Sequence, residues 1–240
     1  VSAGELLVAG GTVAVAACVQ GAVGFGLSLL AVPILLMVDP ALVPVPLIVA
    51  SLTINIGNSY RNRGGIDRGV RWCLIGSVPG TVLGAYAIAT LPQRPLSITF
   101  GVLVLAAVAV SAAGLEVAPT TRSLLAAGLI SGFTGTASSI GGPPIALMYQ
   151  RAHGSIVRGT LALYFLIGSV LSLVTLGLFG KLGAQQLAES ALLAPFILLG
   201  FACSGPAARV LDRGRTREAV LLVSALSAIV LIADQLLTRG

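Results

Sequence analysis

The chain has 240 residues, 56% of them apolar and only 9% charged, with a formal net charge of +6 and a mean hydropathy of +1.02. A soluble domain carries about 25% charged residues, so this chain cannot cover itself with a polar surface, and a soluble fold is excluded. The positive charge does not point to nucleic acid either, because eleven of the 14 basic residues fall in a few short connections, as topology signals do.

In chain order, hydropathy predicts apolar segments at 6–38, 41–59, 70–91, 96–115, 123–149, 157–179, 187–208 and 219–237. A spanning helix needs about 20 residues, and six of the segments fit. Together they predict an all-α polytopic protein forming a single membrane domain over 1–240, with no soluble appendage. The first stretch, Leu6–Val38, lacks a basic leader and exceeds any signal-peptide core, so no cleavable signal is expected. Cys18, Cys73 and Cys203 show no disulfide or metal spacing, and the single His153 cannot complete a site with them. Neither metal nor cofactor is expected.

The first and fifth segments are too long for one simple crossing, and they carry an internal repeat. Gly21-Ala-Val-Gly24, eight residues and Pro33 recur as Gly132-Phe-Thr-Gly135, eight residues and Pro144, shifted by 111 positions. Pro79-Gly-Thr-Val-Leu83-Gly84 recurs as Pro195-Phe-Ile-Leu-Leu199-Gly200, shifted by 116. Glycine and proline interrupting corresponding segments of two halves point to a secondary transporter's binding site. The halves are expected at 1–117 and 118–240.

Charge decides how the long segments sit. If all eight segments cross once, basic residues divide 7 against 7 between the two faces. If segments 1 and 5 are re-entrant hairpins, the division becomes 11 against 3, with Arg94, Lys181 and Arg239 outside. The positive-inside rule prefers the second arrangement. Each half then has one broken-helix hairpin plus three transmembrane helices, an odd number of crossings, so the repeats are inverted. Both termini are expected outside a bacterial-type cytoplasmic membrane, with the hairpin tips, near Gly21–Gly26 and Gly135–Gly142, meeting near the midplane.

The second tip is rich in hydroxyls and glycine: Thr134, Gly135, Thr136, Ser138, Ser139, Gly141, Gly142, then Pro143 and Pro144. Unwound backbone inside a membrane needs protein, water or ligand to satisfy it. Proline suits the first turn of the returning half-helix, and a helix N-terminus attracts anions. The first half offers a poorer copy in Gly24, Phe25, Gly26 and Ser28, with Gln20 beside it. These residues are the expected ligands of one small anion. Isolated glycine pairs such as Gly80/Gly84 and Gly128/Gly132 are read instead as helix-packing contacts. Asn55, Asn58, Tyr149 and Tyr164 are expected to make interhelical hydrogen bonds or interfacial anchors, with lining of the path as the alternative. No ionisable side chain falls near the centre of a predicted span, so a proton-coupling group is not expected there.

At these residues the chain resembles the TauE/SafE family of sulfite and organosulfonate exporters. The likeness rests on Gly21-Ala-Val-Gly24-Phe25-Gly26…Pro33, on Gly135…Gly141-Gly142-Pro143-Pro144…Tyr149, and on the Pro-x-x-x-Leu-Gly elements of segments 3 and 7. The resemblance implies an inner-membrane carrier exporting a small sulfur-containing anion. Its partners would be that anion and the bilayer, with a homo-oligomer left open. The alternatives are an anion channel or an importer of another small organic acid. An enzyme is not expected: Ser138 or Ser139 would need a base in reach, and His153 lies a loop away.

Overall fold

The computed structural model describes residues 3–91, 117–149, 151–152 and 154–211, with isolated residues between 99 and 109 and residue 229. The expected spans 96–115 and 219–237 therefore lie largely outside the described residues, as do His153, Arg94 and Arg239. Within the described residues every regular element is helical: α1 Ala3–Val23, α2 Leu27–Val38, α3 Val45–Arg61, α4 Val70–Thr90, α5 Thr121–Ser138, α6 Gly142–Tyr149, α7 Gly154–Leu178 and α8 Ala184–Leu211. A 3-10 turn at Pro40–Leu42 precedes α3. Five helical stretches are long and apolar enough to cross a membrane: Gly4–Val23, Pro40–Arg61, Val70–Thr90, Ile156–Leu178 and Ala184–Ala207.

Both over-long segments break. The first divides into α1 of 21 residues and α2 of 12, the second into α5 of 18 and α6 of 8. At 1.5 Å per residue, α2 and α6 reach only about 18 Å and about 12 Å, short of a hydrocarbon core about 30 Å thick. They are half-helices. The arms are unequal, which hydropathy alone does not reveal, and α1 is long enough to cross by itself. Each short arm folds back on its long one. Ala9, Val13, Ala16 and Ala17 of α1 share a core with Leu27–Leu36 of α2. Leu124 and Ala127 of α5 share another with Ile145, Met148 and Tyr149 of α6.

Local chemistry sets the breaks. Gly24 and Gly26 stand at φ 101° and 117°, a left-handed region that excludes most side chains, so α1 ends there and α2 starts afresh. At the second break the left-handed residue is Ser139, φ 63°, followed by Ile140 and Gly141 before α6 opens. The breaks thus fall at Gly24–Gly26 and Ser139–Gly141, while Gly21 and Gly135 remain helical. At its start α5 carries a capping box: Ser123 N donates to Thr120 Oγ1 at 3.2 Å and Thr120 N to Ser123 Oγ at 2.9 Å. Asp39 ends α2 and its Oδ1 accepts from Ala41 N at 2.9 Å, opening the 3-10 turn.

Two helix pairs pack side by side in the same direction. Along α4 and α5, Gly128 meets the carbonyl of Cys73, Gly132 that of Ser77, and Gly80 that of Leu129. A Cβ at any of the three would run into backbone, so the small residues are what let these helices touch. Along α1 and α8, Gly10 faces Phe196, Gly200 faces the carbonyl of Ala14, and Gly21 faces Phe201 and Ser204. By contrast α3 and α7 oppose one another. The carbonyls of Asn62 and Gly65, just past α3, meet Gly159 at the start of α7, while Val45 and Ile48 cluster with Leu176 near its end.

One end of the bundle collects, among the described residues, Arg61, Arg63, Arg68, Arg71, Arg122 and Arg158. The connection from Arg61 to Arg71 docks on the start of α7 through Asp67 N, which donates to Thr160 Oγ1 at 2.9 Å. Gly69 lies against Leu124 at the start of α5 and against Tyr149. Arg61 donates to Ser204 Oγ at 3.2 Å and stacks on the Phe201 ring at 4.2 Å, joining α3 to the last third of α8. Lys181 lies at the other end, in the α7–α8 connection, beside Leu182, which packs on Val45 and Leu176. The outer faces are apolar, with Ile75, Val82, Tyr86, Val174 and Leu198 more than two-fifths exposed.

Candidate functional site

The two breaks meet. Phe25, between α1 and α2, lies against Gly142, the first residue of α6. Around this contact a pocket of about 300 Å³ is lined from the first break by Gln20, Phe25, Gly26, Ser28 and Leu29, and from the second by Ser139, Ile140, Gly142 and Pro143. Ser51 of α3 and Phe165 of α7 complete it. Ser51, Ser139 and Phe165 also line a second pocket of about 400 Å³. That cavity opens between α3, α4, α5 and α7, where Ser77, Thr81, Ser131, Ser169, Ser172 and Tyr164 supply hydroxyls and Gly135 and Gly141 supply backbone. Among the described residues no charged side chain lines either pocket.

Of the residues expected from sequence, Gln20, Phe25, Gly26, Ser28, Gly135, Ser139, Gly141, Gly142 and Pro143 line one pocket or both. Gly24, Thr134, Thr136 and Ser138 stand off the lining. Gly24 packs on Leu161 and on Arg158, whose Cα and Cγ would be 3.6 and 3.7 Å from a Cβ placed there. Thr134 Oγ1 donates to Ile130 O at 3.0 Å and Ser138 Oγ to Thr134 O at 2.9 Å. These hydroxyls satisfy their own helix, as serine and threonine often do one turn back. Thr136 is fully buried and shares a 2.7 Å hydrogen bond with Ser172. On α5 and its C-cap the lining falls to Ser131, Gly132, Gly135 and Ser139, because consecutive residues of a helix cannot all face one cavity.

Gln20 has a structural task. Its Oε1 accepts from Leu27 N at 3.2 Å, capping the half-helix α2, while its Nε2 donates to Ser51 Oγ at 3.2 Å. Asn58 Nδ2 reaches the Gln20 carbonyl at 3.4 Å, which also accepts from Gly24 N at 2.8 Å. At the second break, Ser131 Oγ donates to Gly141 O at 2.5 Å and Ser139 Oγ to Pro44 O at 3.0 Å. Each break is therefore pinned by side chains to a neighbouring helix, which is what irregular backbone at membrane depth requires.

The two half-helix N-termini differ as donors. The first N–H groups of any helix lack an intrahelical partner. In α2, Gln20 takes that of Leu27, which leaves those of Ser28 and Leu29 on the pocket side. In α6, Pro143 and Pro144 have no N–H at all, so Gly142 and Ile145 are the donors of its first turn. An anion here would meet a few backbone amides and hydroxyls at positive helix ends.

Sequence reasoning passed over Ser51, Ser77, Thr81, Ser131, Ser169, Ser172 and Phe165. Hydroxyls scattered along helices carry no local signal that separates a cavity wall from a packing contact. Among the polar residues singled out beside the breaks, Tyr164 lines the second pocket, whereas Asn58 is buried in a hydrogen bond to the Gln20 carbonyl of α1 and Asn55 bonds within α3, to Ser51. Tyr149 OH lies 3.4 Å from Asp67 Oδ1 at the arginine-rich end.

No curated protein and no solved structure matches this chain. A family does, over residues 9–231, under the description Sulfite exporter TauE/SafE. Five helices among the described residues that are long and apolar enough to span, half-helices that meet at a pocket, and that match together point to a multi-pass membrane protein of a transporter family. The chain belongs to the sulfite exporter TauE/SafE family.

Proposed function

We propose that the chain is a carrier that exports a small sulfur-containing anion, sulfite or an organosulfonate, bound between the two breaks. The observation that carries this reading is the shared pocket. Residues of both halves line it, and two half-helix N-termini reach it. Anions gain from such positions through exposed N–H groups and the helix dipole. Broken helices meeting at a central site are also how several secondary transporters hold their substrates.

The architecture proposed with it is two inverted repeats, residues 1–117 and 118–240. Its support is the exchange of helix pairings. Swapping the halves carries α1 onto α5 and α4 onto α8, so the pair α1/α8 maps onto the pair α5/α4, and both pairs run parallel. α1 ends beside Ser204, at the arginine-rich end, whereas α5 begins there beside Gly69. The equivalent helices thus run opposite ways. The arginine-rich end is assigned to the cytoplasm by the positive-inside rule, which puts the N-terminus outside.

A hydrolytic reading has less support. Ser138 and Ser139 both donate to backbone carbonyls, and among the described residues neither hydroxyl meets the base that a nucleophile needs. The function is tested by ligand-dependent thermal stabilisation of the purified protein with sulfite, sulfate, sulfoacetate, taurine, thiosulfate and simple carboxylates, followed by flux in proteoliposomes. Stabilisation by sulfite or a sulfonate is the expected result. Counterflow acceleration separates a carrier from a channel, and stabilisation by carboxylates alone would replace the substrate assignment.

A further inference from the structure

We infer that Ser51 is an oriented hydroxyl donor to the transported oxyanion at the junction of the two cavities, an inference that rests on the binding reading above. Ser51 lines both pockets. Its Oγ accepts two hydrogen bonds, from Gln20 Nε2 at 3.2 Å and from Asn55 Nδ2 at 3.0 Å. Neither amide can turn its oxygen toward Ser51 without loss. The Gln20 oxygen is taken up by Leu27 N at 3.2 Å. Asn55 Nδ2 also donates to the Ser51 carbonyl at 2.7 Å, where an amide oxygen would be repelled.

A serine hydroxyl has two acceptor lone pairs and one proton. With both lone pairs receiving N–H donors, the hydroxyl can only donate. Helical serines and threonines commonly give that proton to the carbonyl one turn back, as Thr53 does to Val49 O at 2.9 Å and Thr175 to Leu171 O at 2.8 Å. Among the described residues Ser51 has no such acceptor. Ser131 and Ser139, its neighbours on the cavity walls, spend their protons on Gly141 O and Pro44 O. The Ser51 proton is left for whatever enters the junction.

This arrangement selects by chemical class. A metal cation or an ammonium group needs oxygen lone pairs, and those of Ser51 are occupied. A sulfur or carbon oxyanion supplies the acceptor that the proton lacks. Asn55 is fully buried and its Oδ1 has no partner among the described residues. A polar atom buried unpaired is costly, so the Asn55–Ser51 contact fits a site held in place for its ligand.

The test measures sulfite affinity of the purified protein by thermal shift and calorimetry, for wild type, Ser51→Ala, Ser51→Thr and Ser51→Cys. A hydrogen bond to a charged group is strong enough that Ser51→Ala should weaken sulfite binding about 10- to 100-fold. Ser51→Thr should retain most of the affinity, and Ser51→Cys, a weaker donor, should fall between. Sulfite added as the sodium or the N-methylglucamine salt should bind alike. Unchanged affinity in Ser51→Ala overturns the role of Ser51 and leaves the pocket assignment standing. If Ser51→Ala does not fold, wild-type affinity in Ser51→Cys overturns it equally. Dependence on sodium that disappears in Ser51→Ala would make Ser51 a cation ligand and overturn the donor assignment. No sulfite binding by the wild type overturns the substrate reading and this inference with it.

Discussion

A Cβ placed on Gly142 would lie 3.2 Å from the Cβ of Phe25 and 3.1 Å from its ring edge, so the first residue of one half-helix is cut to the shape of the other break. This contact joins the two halves of the chain across the pocket. Gly142→Val should separate the breaks, lowering stability by about 1–3 kcal/mol, the usual range for overpacking, and reducing flux. Phe25→Ala in the same chain should relieve part of that loss. The measurement is thermal stability of the two single variants and the double variant, read as a cycle. Strict additivity would show that the breaks are not in energetic contact.

The α4/α5 seam should tolerate far less. Gly80 and Gly128 face the backbone carbonyls of Leu129 and Cys73, which cannot rotate away as a side chain can. Gly80→Val or Gly128→Val should cost more than about 3 kcal/mol and abolish accumulation of folded protein. Gly11 is the internal comparison, because a Cβ there meets nothing within 4 Å. Gly11→Ala should be neutral or slightly stabilising, since alanine is the better helix former by about 0.5–1 kcal/mol. Yield of monodisperse protein and its melting temperature decide between these outcomes.

How much of this was legible in the sequence follows from what each signal depends on. The breaks were legible because glycine and proline act on their own backbone, and Gly24–Gly26 and Pro143–Pro144 announce themselves in one dimension. Hydropathy marked the six apolar segments that fall in the described residues, and the two breaks make eight helices of them. What stayed hidden depends on partners. Nothing local tells Gly128 that its neighbour is the Cys73 carbonyl, and nothing in the residues around Ser51 announces that two amides, one of them 31 positions away, will occupy its lone pairs. The unequal arms were hidden because all four arms are apolar, so hydropathy runs on across the breaks. Thr134, Thr136 and Ser138 looked equivalent to Ser139 in sequence. They differ in the side of α5 on which they lie, since Gly135 and Ser139 beside them line the cavity.

That last difference predicts a graded hydroxyl series. Ser139 lines both pockets, whereas Ser138 and Thr134 hydrogen-bond within α5. Ser138→Ala and Thr134→Val should leave sulfite-dependent stabilisation close to wild type. Ser139→Ala should reduce it by loosening the second break, since its hydroxyl donates to Pro44 O rather than to the ligand, and should lower intrinsic stability by about 1 kcal/mol. Thermal shift with and without sulfite separates the two effects. Equal losses at Ser138 and Ser139 would mean that the cavity walls are drawn wrongly.

The sidedness proposal is open to labelling. Single cysteines at Arg122, His153 and Lys181 are introduced into a chain in which Cys18, Cys73 and Cys203 have been replaced. Arg122 and His153 should react from the cytoplasmic face only, and Lys181 from the opposite face only, with a membrane-impermeant maleimide on oriented vesicles. Arg122 and His153 on opposite faces would restore a simple crossing for 123–149 and remove the inverted relation between the halves.

The charge-free pocket makes a prediction about energetics. Among the described residues no carboxylate, histidine, lysine or arginine lines either cavity, and a proton-coupling site usually contains an acidic group or a histidine. The arginines gather at one end, where they can raise local anion concentration without binding a proton in the path. Export then needs no coupling partner, since a potential that is negative inside drives an anion outward with about 2.3 kcal/mol per charge per 100 mV. In proteoliposomes with the potential set by potassium and valinomycin, sulfite should move toward the positive side. Its flux should rise with the potential and respond weakly to a pH gradient, once sulfite's own protonation is corrected for. Strict dependence on a proton or sodium gradient at zero potential would refute uniport. Coupling would then require a cation held by backbone carbonyls at the breaks, and Ser51→Ala, whose lone pairs are not part of such a site, should leave that cation dependence intact.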